Sequence, residues 1–454
     1  MIMIRSEFMS VRIFIYNLGC PKNQVDGEYI AGYLTESDNI TVVDDYEVAD
    51  IIAVNTCGFI ETAKEESIEA IFEAVKLKEA GNCQKVIVTG CLAQRYVEDI
   101  QADIPEVDGI FGIGDYQKMV ELVKDVELGE RVTMVAEPEQ GLNRDIPRVH
   151  KDKGTAYLKI ADGCDQNCTY CTIPSIKGGY KSRGLEFIIN EAKRLVEQGV
   201  NELILVAQDT ALYGLDIYGE VRLAELLEEL AKIESLKWIR LMYTYPEHLE
   251  EKVLEVMASE DKICNYLDIP IQHAAGQVRK RMGRPGDRSS LEAKIAKIRD
   301  ILPDVVLRTS LIVGFPGETD EQFEELVDFI KEVKFDRLGV FTYSKEENTP
   351  AARLAGQVDE KVKVSRYNQI MEVQQKIALE KNSERVDKEL EIIVEEIDGS
   401  RFNGRTKYDA PEIDNAINGE LPEELEVEEG SIYLALVKSA FEYDLEGEII
   451  DEIG

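Results

Sequence analysis

The sequence predicts an α/β protein in three parts: an amino-terminal doubly wound parallel α/β domain, a central partial (βα)6 TIM-like barrel, and a small carboxy-terminal antiparallel β-barrel. Three observations carry that reading. Short apolar runs alternate with amphipathic stretches over about the first 120 residues. The alternation resumes near residue 156 for about six further βα repeats. From about residue 383 it gives way to short strands broken by glycine and acidic turns.

In the first part, VRIFIY (11–16), DIIAVN (50–55) and KVIVTG (85–90) have the apolar continuity of buried parallel strands, and ETAKEESIEAIFEAVKLKEA (61–80) has helical periodicity. A cysteine follows each strand: Cys20 in NLGCPKNQVDGE, Cys57 in NTCGFIETA and Cys91 in TGCLAQR. Loops at the carboxyl ends of parallel strands converge on one crevice, so three cysteines a βα unit apart can meet in space. That placement points to a three-cysteine cluster site, with three unrelated core cysteines as the alternative. Cys83 and Cys264 lack it and read as core or surface thiols. The domain is assigned to 11–125, and the polar, proline-containing stretch 126–152 to a linker.

The central part, 153–382, opens with AYLKIA (156–161) and continues through strands in ELILVAQD, KWIRLMY, NYLDIPI, VVLRTSLIVG and RLGVFTY. Its first strand runs into ADGCDQNCTYCTIPS, where three residues and then two separate Cys164, Cys168 and Cys171. Thiolates on so tight a loop can hold three irons of a cubane iron–sulfur cluster and leave the fourth open to a ligand. Structural zinc wants four closed ligands, and His150 is the only histidine near in sequence; three inert thiols are the remaining alternative.

In a parallel barrel the site lies at the carboxyl ends of the strands, where this loop falls. The same rim takes Gln208 and Asp209 after the second strand and Gln272 and His273 after the fourth. It also takes the turn in SLIVGFPGET, with Gly314, Pro316 and Gly317. That turn either lets backbone approach a ligand or is simply tight, and His273 is either functional or a satisfied structural histidine. Arg308, a charge within an apolar strand, either binds a ligand carboxylate or pairs with an acid of the chain.

Of the 454 residues, 44% are hydrophobic and 31% charged, the balance of a soluble globular protein. No window approaches the roughly 18 uninterrupted apolar residues of a membrane span, and the apolar run in MIMIRSEFMS is too short for a secretory signal, so a cytosolic (cytoplasmic) location is expected. The residues before Val11 read as a leader, with Met9 a candidate start. Eight cysteines in such a chain read as metal or catalytic ligands rather than disulfides. The net charge of −37 repels nucleic acid and attracts basic proteins. The terminal part, 383–454, contains KELEIIVEEI, FNGRTKYDAPEID and SIYLALVKSAFEYDLEGEII, with 22 acidic and 6 basic residues, a net of −16. A barrel that bound nucleic acid would be basic.

The CxxxCxxC loop after a barrel's first strand, with Tyr170 before the last cysteine and a GFPGE turn late in the barrel, resembles the radical S-adenosylmethionine superfamily. LGCPKNQVD, NTCGFIETA and TGCLAQR resemble the methylthiotransferases within it, and the terminal barrel resembles their TRAM domain; the likeness spans roughly residues 11 to 450. LGCPKN followed by Val-Asp, GCDQNCTYCTIPSIKGGYKSR, QDTALYG and GRTKYDAPEID resemble the branch that modifies an aspartate of small-subunit ribosomal protein S12. The branch that modifies a tRNA adenosine beside the anticodon is the alternative. Gln24, Gly27 and Gly178 depart from the pattern without removing a cluster ligand.

The resemblance implies a radical-generating 4Fe-4S cluster on Cys164, Cys168 and Cys171, whose open iron takes S-adenosylmethionine. It implies an auxiliary 4Fe-4S cluster on Cys20, Cys57 and Cys91, which carries the sulfur, and cofactor contacts from Tyr170, Gln208, Arg308, Gly314, Pro316 and Gly317. The implied reaction converts an aspartate β-carbon C–H into C–S–CH3 and consumes two S-adenosylmethionines, one to methylate the sulfur and one to supply the radical, since that bond offers no acidic proton to a general base. The implied partners are a basic ribosomal protein as substrate and a flavodoxin- or ferredoxin-type electron donor, with no membrane and no direct nucleic-acid substrate; a monomer is the default. The rival outside the enzymes is a binding protein whose clusters are structural or redox-sensing.

Overall fold

The computed structural model describes residues 10–138, 143–422 and 425–453. The leader and Met9 lie outside the described residues. The chain forms two bodies. The first runs through His150 and includes Asp162–Asp165 and Thr172–Phe187; the second comprises Lys151–Ala161, Gln166–Cys171 and Ile188–Gly454.

The first body is built on six strands, β1 (Val11–Asn17), β2 (Ile40–Val43), β3 (Ile51–Thr56), β4 (Lys85–Gly90), β5 (Gly109–Phe111) and β6 (Val132–Met134). Every neighbouring pair is parallel, in the order β2-β1-β3-β4-β5-β6. The central strand β3 is buried along its whole length, as a continuous apolar run in a doubly covered sheet must be. After β1 the chain moves to one side for β2 and then crosses to the other for β3. The β1–β3 neighbours are therefore the switch point, where crevices open at the strands' carboxyl ends. Helices α1 (Pro21–Thr35), α2 (Glu61–Glu79) and α3 (Cys91–Arg95) leave those ends.

The stretch assigned to a linker begins within a helix, Met119–Glu127, and then adds β6 to the sheet edge. Its few apolar residues suffice there because an edge strand pairs on one side only. Two two-residue strands, β8 (Ala161–Asp162) and β9 (Lys181–Ser182), flank the loop that carries Cys164, Cys168 and Cys171.

The second body holds β7 (Thr155–Lys159), β10 (Glu202–Val206), β11 (Trp238–Leu241), β12 (Ile263–Asp268), β13 (Val306–Val313) and β14 (Arg337–Thr342). They form one open sheet in sequential order, all parallel, with helices in the connections. This is the partial (βα)6 barrel expected. A 24-residue helix, Glu360–Ser383, leads to the terminal barrel of β15 (Glu389–Asp398), β16 (Arg401–Thr406), β17 (Ala416–Glu420), β18 (Ile432–Ala440) and β19 (Asp444–Glu452). That barrel closes in the order β15-β16-β17-β19-β18 around Ile392, Val394, Phe402, Ile417, Tyr433, Val437 and Leu445. Four of its pairings are antiparallel, and β17 with β19 is parallel. A ring of five strands cannot alternate direction all the way round, so one parallel pair is a geometric necessity.

The small barrel docks on the amino-terminal ends of the open sheet. Glu202, the first residue of β10, takes hydrogen bonds from Arg240 at 2.7 Å and from Arg405 of the barrel. Arg337, which starts β14, reaches Asp409 at 2.6 and 2.8 Å, and the Tyr266 hydroxyl donates to Asp414 at 2.6 Å. GRTKYDAPEID thus supplies Arg405, Asp409 and Asp414 to a buried ionic junction, and the opposite rim of the sheet stays free of the barrel. Among the described residues no helix is long and apolar enough to cross a membrane.

Candidate active site

In the first body Cys20, Cys57 and Cys91 follow β1, β3 and β4, and the folding brings them together. Cys20 stands immediately before α1, with Pro21 as the first helical residue, where a missing N–H costs nothing. Two asparagines lash the loops. The Asn23 amide donates to the Leu18 carbonyl at 2.7 Å and to the Asn55 and Thr56 carbonyls at 3.3 Å. The Asn55 amide in turn donates to Asn17 Oδ1 at 2.9 Å and to the Asn23 carbonyl at 2.8 Å. Ser67 of α2 accepts from the Cys57 N–H and donates to the Cys57 carbonyl, both at 2.9 Å. Gly19 has φ +87°, and a Cβ there would stand 2.7 Å from Cys57 Cβ and 3.1 Å from its Sγ. Only glycine lets the first cysteine loop approach the second so closely.

These sulfurs sense one another. Burial pushes the Cys57 thiol up, and the Cys20 sulfur adds to the shift. Burial likewise pushes Cys91 up to about 12, with Lys177 opposing and Cys20 and Cys57 reinforcing. The buried Cys57 and Cys91 thiols resist ionisation alone, whereas a polyvalent cation shared with Cys20 would take the cysteines as thiolates. The set therefore fits a metal cluster and leaves one coordination position to another ligand. Cys83 packs in the sheet core beside Ala74 and Val86, and Cys264 is buried within β12; neither belongs to this group.

Of the CxxxCxxC loop, Cys164 belongs to the first body, where its N–H donates to the Gly178 carbonyl at 3.1 Å. Cys168 and Cys171 belong to the second, joined by a turn in which the Cys171 N–H donates to the Cys168 carbonyl. That turn is pinned from both sides. Thr169 donates its N–H to the Met282 carbonyl at 2.9 Å and its hydroxyl to the Arg281 carbonyl at 2.8 Å.

Tyr170 meets Phe315 edge-on at 6.4 Å between ring centres and flanks an apolar cluster of Val278, Met282, Phe315, Tyr343 and Ala351. Its hydroxyl accepts from Arg284 at 3.4 Å, and that guanidinium also lies 4.0 Å from the centre of the Tyr245 ring. Burial holds the Tyr170 phenol far above its ordinary value, so it stays a neutral hydroxyl. Arg284 stays charged despite its burial, with the Cys168 sulfur nearby. Sequence reasoning missed Arg284, because one arginine among the four in 279–288 carries no distinguishing signal.

The remaining rim residues are placed as follows. Gln208 is half-buried just beyond β10. Asp209 is engaged by the chain, accepting from His248 Nδ1 at 2.6 Å and from the Ala211 N–H at 3.1 Å. His273 is wholly buried; its Nδ1 accepts from the Ala275 N–H at 3.0 Å, while its Nε2 is left without a hydrogen-bond partner among the described residues, so the ring is not the fully satisfied histidine of the structural alternative. In the GFPGE turn Gly314 has φ +72°, and a Cβ there would collide with the Lys363 stem. The Phe315 N–H goes to the Glu318 carboxylate at 2.9 Å, and the Gly317 N–H to the Gly356 carbonyl at 2.7 Å. Tyr243 and Gln272, just beyond β11 and β12, are non-glycine residues at φ +58° and +68°. Backbone held in that region concentrates at working sites.

Arg308 is held among acids of the chain. Its guanidinium lies 3.0 Å from Asp268 and 3.3 Å from Asp414, at the face where the small barrel docks. Of the two alternatives, the pairing with acids of the chain is the one realised.

Comparison with known proteins agrees with this architecture. Residues 158–330 match the radical SAM superfamily, 12–112 the uncharacterized protein family UPF0004, and 386–450 the TRAM domain. The chain is 47% identical over 445 residues to the ribosomal protein uS12 methylthiotransferase RimO of Clostridioides difficile, covering 98% of this chain and 100% of the relative. It is 47% identical to the protein of the same name from Desulforamulus reducens, covering 96% and 99%. Among solved structures, the radical S-adenosylmethionine methyltransferase TsrM of Kitasatospora setae, with cobalamin and a 4Fe-4S cluster bound, aligns over 76% of this chain and 74% of that one. Its TM-score is 0.57 and its identity 16%, a likeness of fold alone. With two three-cysteine sets on carboxyl-edge loops of parallel sheets and near-full-length identity to such relatives, the chain belongs to the RimO family of radical SAM methylthiotransferases.

Proposed function

We propose that this protein transfers a methylthio group to the β-carbon of an aspartate in ribosomal protein uS12. The observation that carries the reading is the convergence of Cys20, Cys57 and Cys91 in a chain that also holds the CxxxCxxC loop. Each set is one ligand short of a closed site. Cys164, Cys168 and Cys171 would hold one 4Fe-4S cluster, and Cys20, Cys57 and Cys91 the other. When bound, these clusters and S-adenosylmethionine supply hydrogen-atom abstraction and the methylthio group that replaces the hydrogen.

The chain's own residues do the rest. Tyr170, Gln208, Gly314, Pro316 and Gly317 would line the cofactor's place on the rim. Arg308 is not among them. Tyr170, Phe315, Tyr343 and Met282 give the Cys168 turn an apolar backing that keeps water from a reactive centre. Arg284 keeps a fixed positive charge near Cys168. The acidic terminal barrel, net −16, complements a basic ribosomal protein and repels tRNA. The protein would work in the cytoplasm, as a monomer, with a flavodoxin- or ferredoxin-type electron donor.

The test is mass spectrometry of purified uS12 after anaerobic incubation with cluster-reconstituted protein, S-adenosylmethionine, sulfide and reductant. One aspartate should gain the mass of SCH3 in place of H. Cofactor cleavage without that gain, together with methylthio-adenosine in treated tRNA, would transfer the assignment to the tRNA branch.

A further inference from the structure

Lys177 is buried between two carboxylates. Its Nζ lies 2.8 Å from Asp26 Oδ2 and 3.3 Å from Asp162 Oδ2, with the three side chains 3%, 3% and 2% exposed. Asp26 sits in the second turn of α1, the helix that follows Cys20. Asp162 lies two residues before Cys164, and Lys177 ends the short helix Ile173–Lys177 that follows Cys171. Its neighbour Ile176 packs on Cys91. The ammonium is close enough to Cys57 and Cys91 for its field to act on both sulfurs.

Stability alone does not explain the arrangement. Apolar side chains of similar volume commonly replace a buried ion pair at no cost, and here a second carboxylate adds a further desolvation cost. The group does join the cysteine loops, tying α1 and its Cys20 end to the segment on both sides of Cys164. It also sets a fixed positive charge beside the Cys57 and Cys91 sulfurs.

We infer that Lys177 is a positioning residue whose charge, balanced by Asp26 and Asp162, sets the reduction potential of the cluster on Cys20, Cys57 and Cys91. The inference rests on the cluster assignment made above. A reduced cluster carries one more negative charge than an oxidised one, so a nearby cation favours reduction and a nearby carboxylate opposes it.

The experiment is an EPR-monitored redox titration of full-length protein in which Cys164, Cys168 and Cys171 are all changed to Ala, so that only the other cluster contributes. Lys177→Met is expected to weaken reduction at least tenfold, about 59 mV for a one-electron couple. Lys177→Arg should restore the parent value, and Asp26→Asn should shift the potential upward. Opposite signs from the two neutralising variants are what a structural role would not produce. If Lys177→Met fails to hold iron, the sign of the Asp26→Asn shift decides, and an unchanged or lowered potential there overturns the inference. An intact cluster with the potential unmoved in both variants refutes the inference and spares the cluster assignment. A triple variant with no four-iron cluster refutes the assignment, and the inference with it.

Discussion

Glu202→Gln tests how the terminal barrel is held. Glu202 is 0% exposed and accepts from Arg240 at 2.7 Å, from Arg405, and from the Thr155 hydroxyl at 3.3 Å. Burial pushes its carboxyl up, but Arg405 and Arg240 outweigh burial and hold it below its ordinary value. The substitution keeps the side chain's shape and deletes its charge. Arg240 is then buried with no carboxylate, and Arg405 keeps only the half-exposed Glu395 at 2.7 Å. Removing one partner of a buried pair costs about 3–5 kcal/mol, because the other charge stays behind uncompensated. Two stranded guanidiniums place this variant toward the upper end of that range.

The assay is urea unfolding followed by fluorescence of Trp238, the only tryptophan, whose Nε1 is 3.4 Å from Glu391 of the barrel and so reports the junction. The sign of the pH dependence follows from the lowered carboxyl. The stabilisation is complete above the unfolded value of 4.5 and is lost as pH falls through the lower folded value, so the defect should shrink in acid. A loss at pH 7 no larger than about 1 kcal/mol, the scale of an exposed pair, would show that the network does not hold the barrel.

Three further outcomes are expected. Cys168→Ala should abolish reductive cleavage of S-adenosylmethionine while the cluster on Cys20, Cys57 and Cys91 remains, and iron analysis that fell to zero would contradict two independent sites. Gly19→Ala should cut loading of that second cluster, since left-handed backbone costs a side-chain-bearing residue about 1–2 kcal/mol and the new methyl would strike Cys57; parent-level iron would argue against the close approach. Arg308→Met should lower the unfolding midpoint and leave the S-adenosylmethionine Kd unchanged, whereas a weakened Kd with stability intact would return Arg308 to the cofactor site.

Much of the site was legible in the chain because chemistry and period coincided there. The strands before Cys20, Cys57 and Cys91 are continuous apolar runs, and a cysteine at the same place after each is a regularity that only shared geometry explains. The CxxxCxxC spacing is local and needed no fold to be read. Arg308 was ambiguous because a charge within an apolar strand looks the same whether it awaits a ligand or an acid of the chain. Asp414, one of its partners, lies 106 residues further on. Asn23, Asn55 and Arg284 escaped notice because a hydrogen bond from an amide or guanidinium to a backbone carbonyl leaves no periodic trace.

By itself the sequence determined the element order, the chemistry of the two cysteine sets and the acidic character of the terminal barrel, since these follow from local pattern and composition. Only the tertiary structure decided which of the distant groups meet. It placed Gly19 against Cys57, gave Lys177 its two carboxylates, made β17 and β19 parallel to close five strands, and spent GRTKYDAPEID on an ionic junction. The physical reason is that burial creates these interactions: a charge or a close backbone contact acquires its energetic weight only when the chain has excluded water around it.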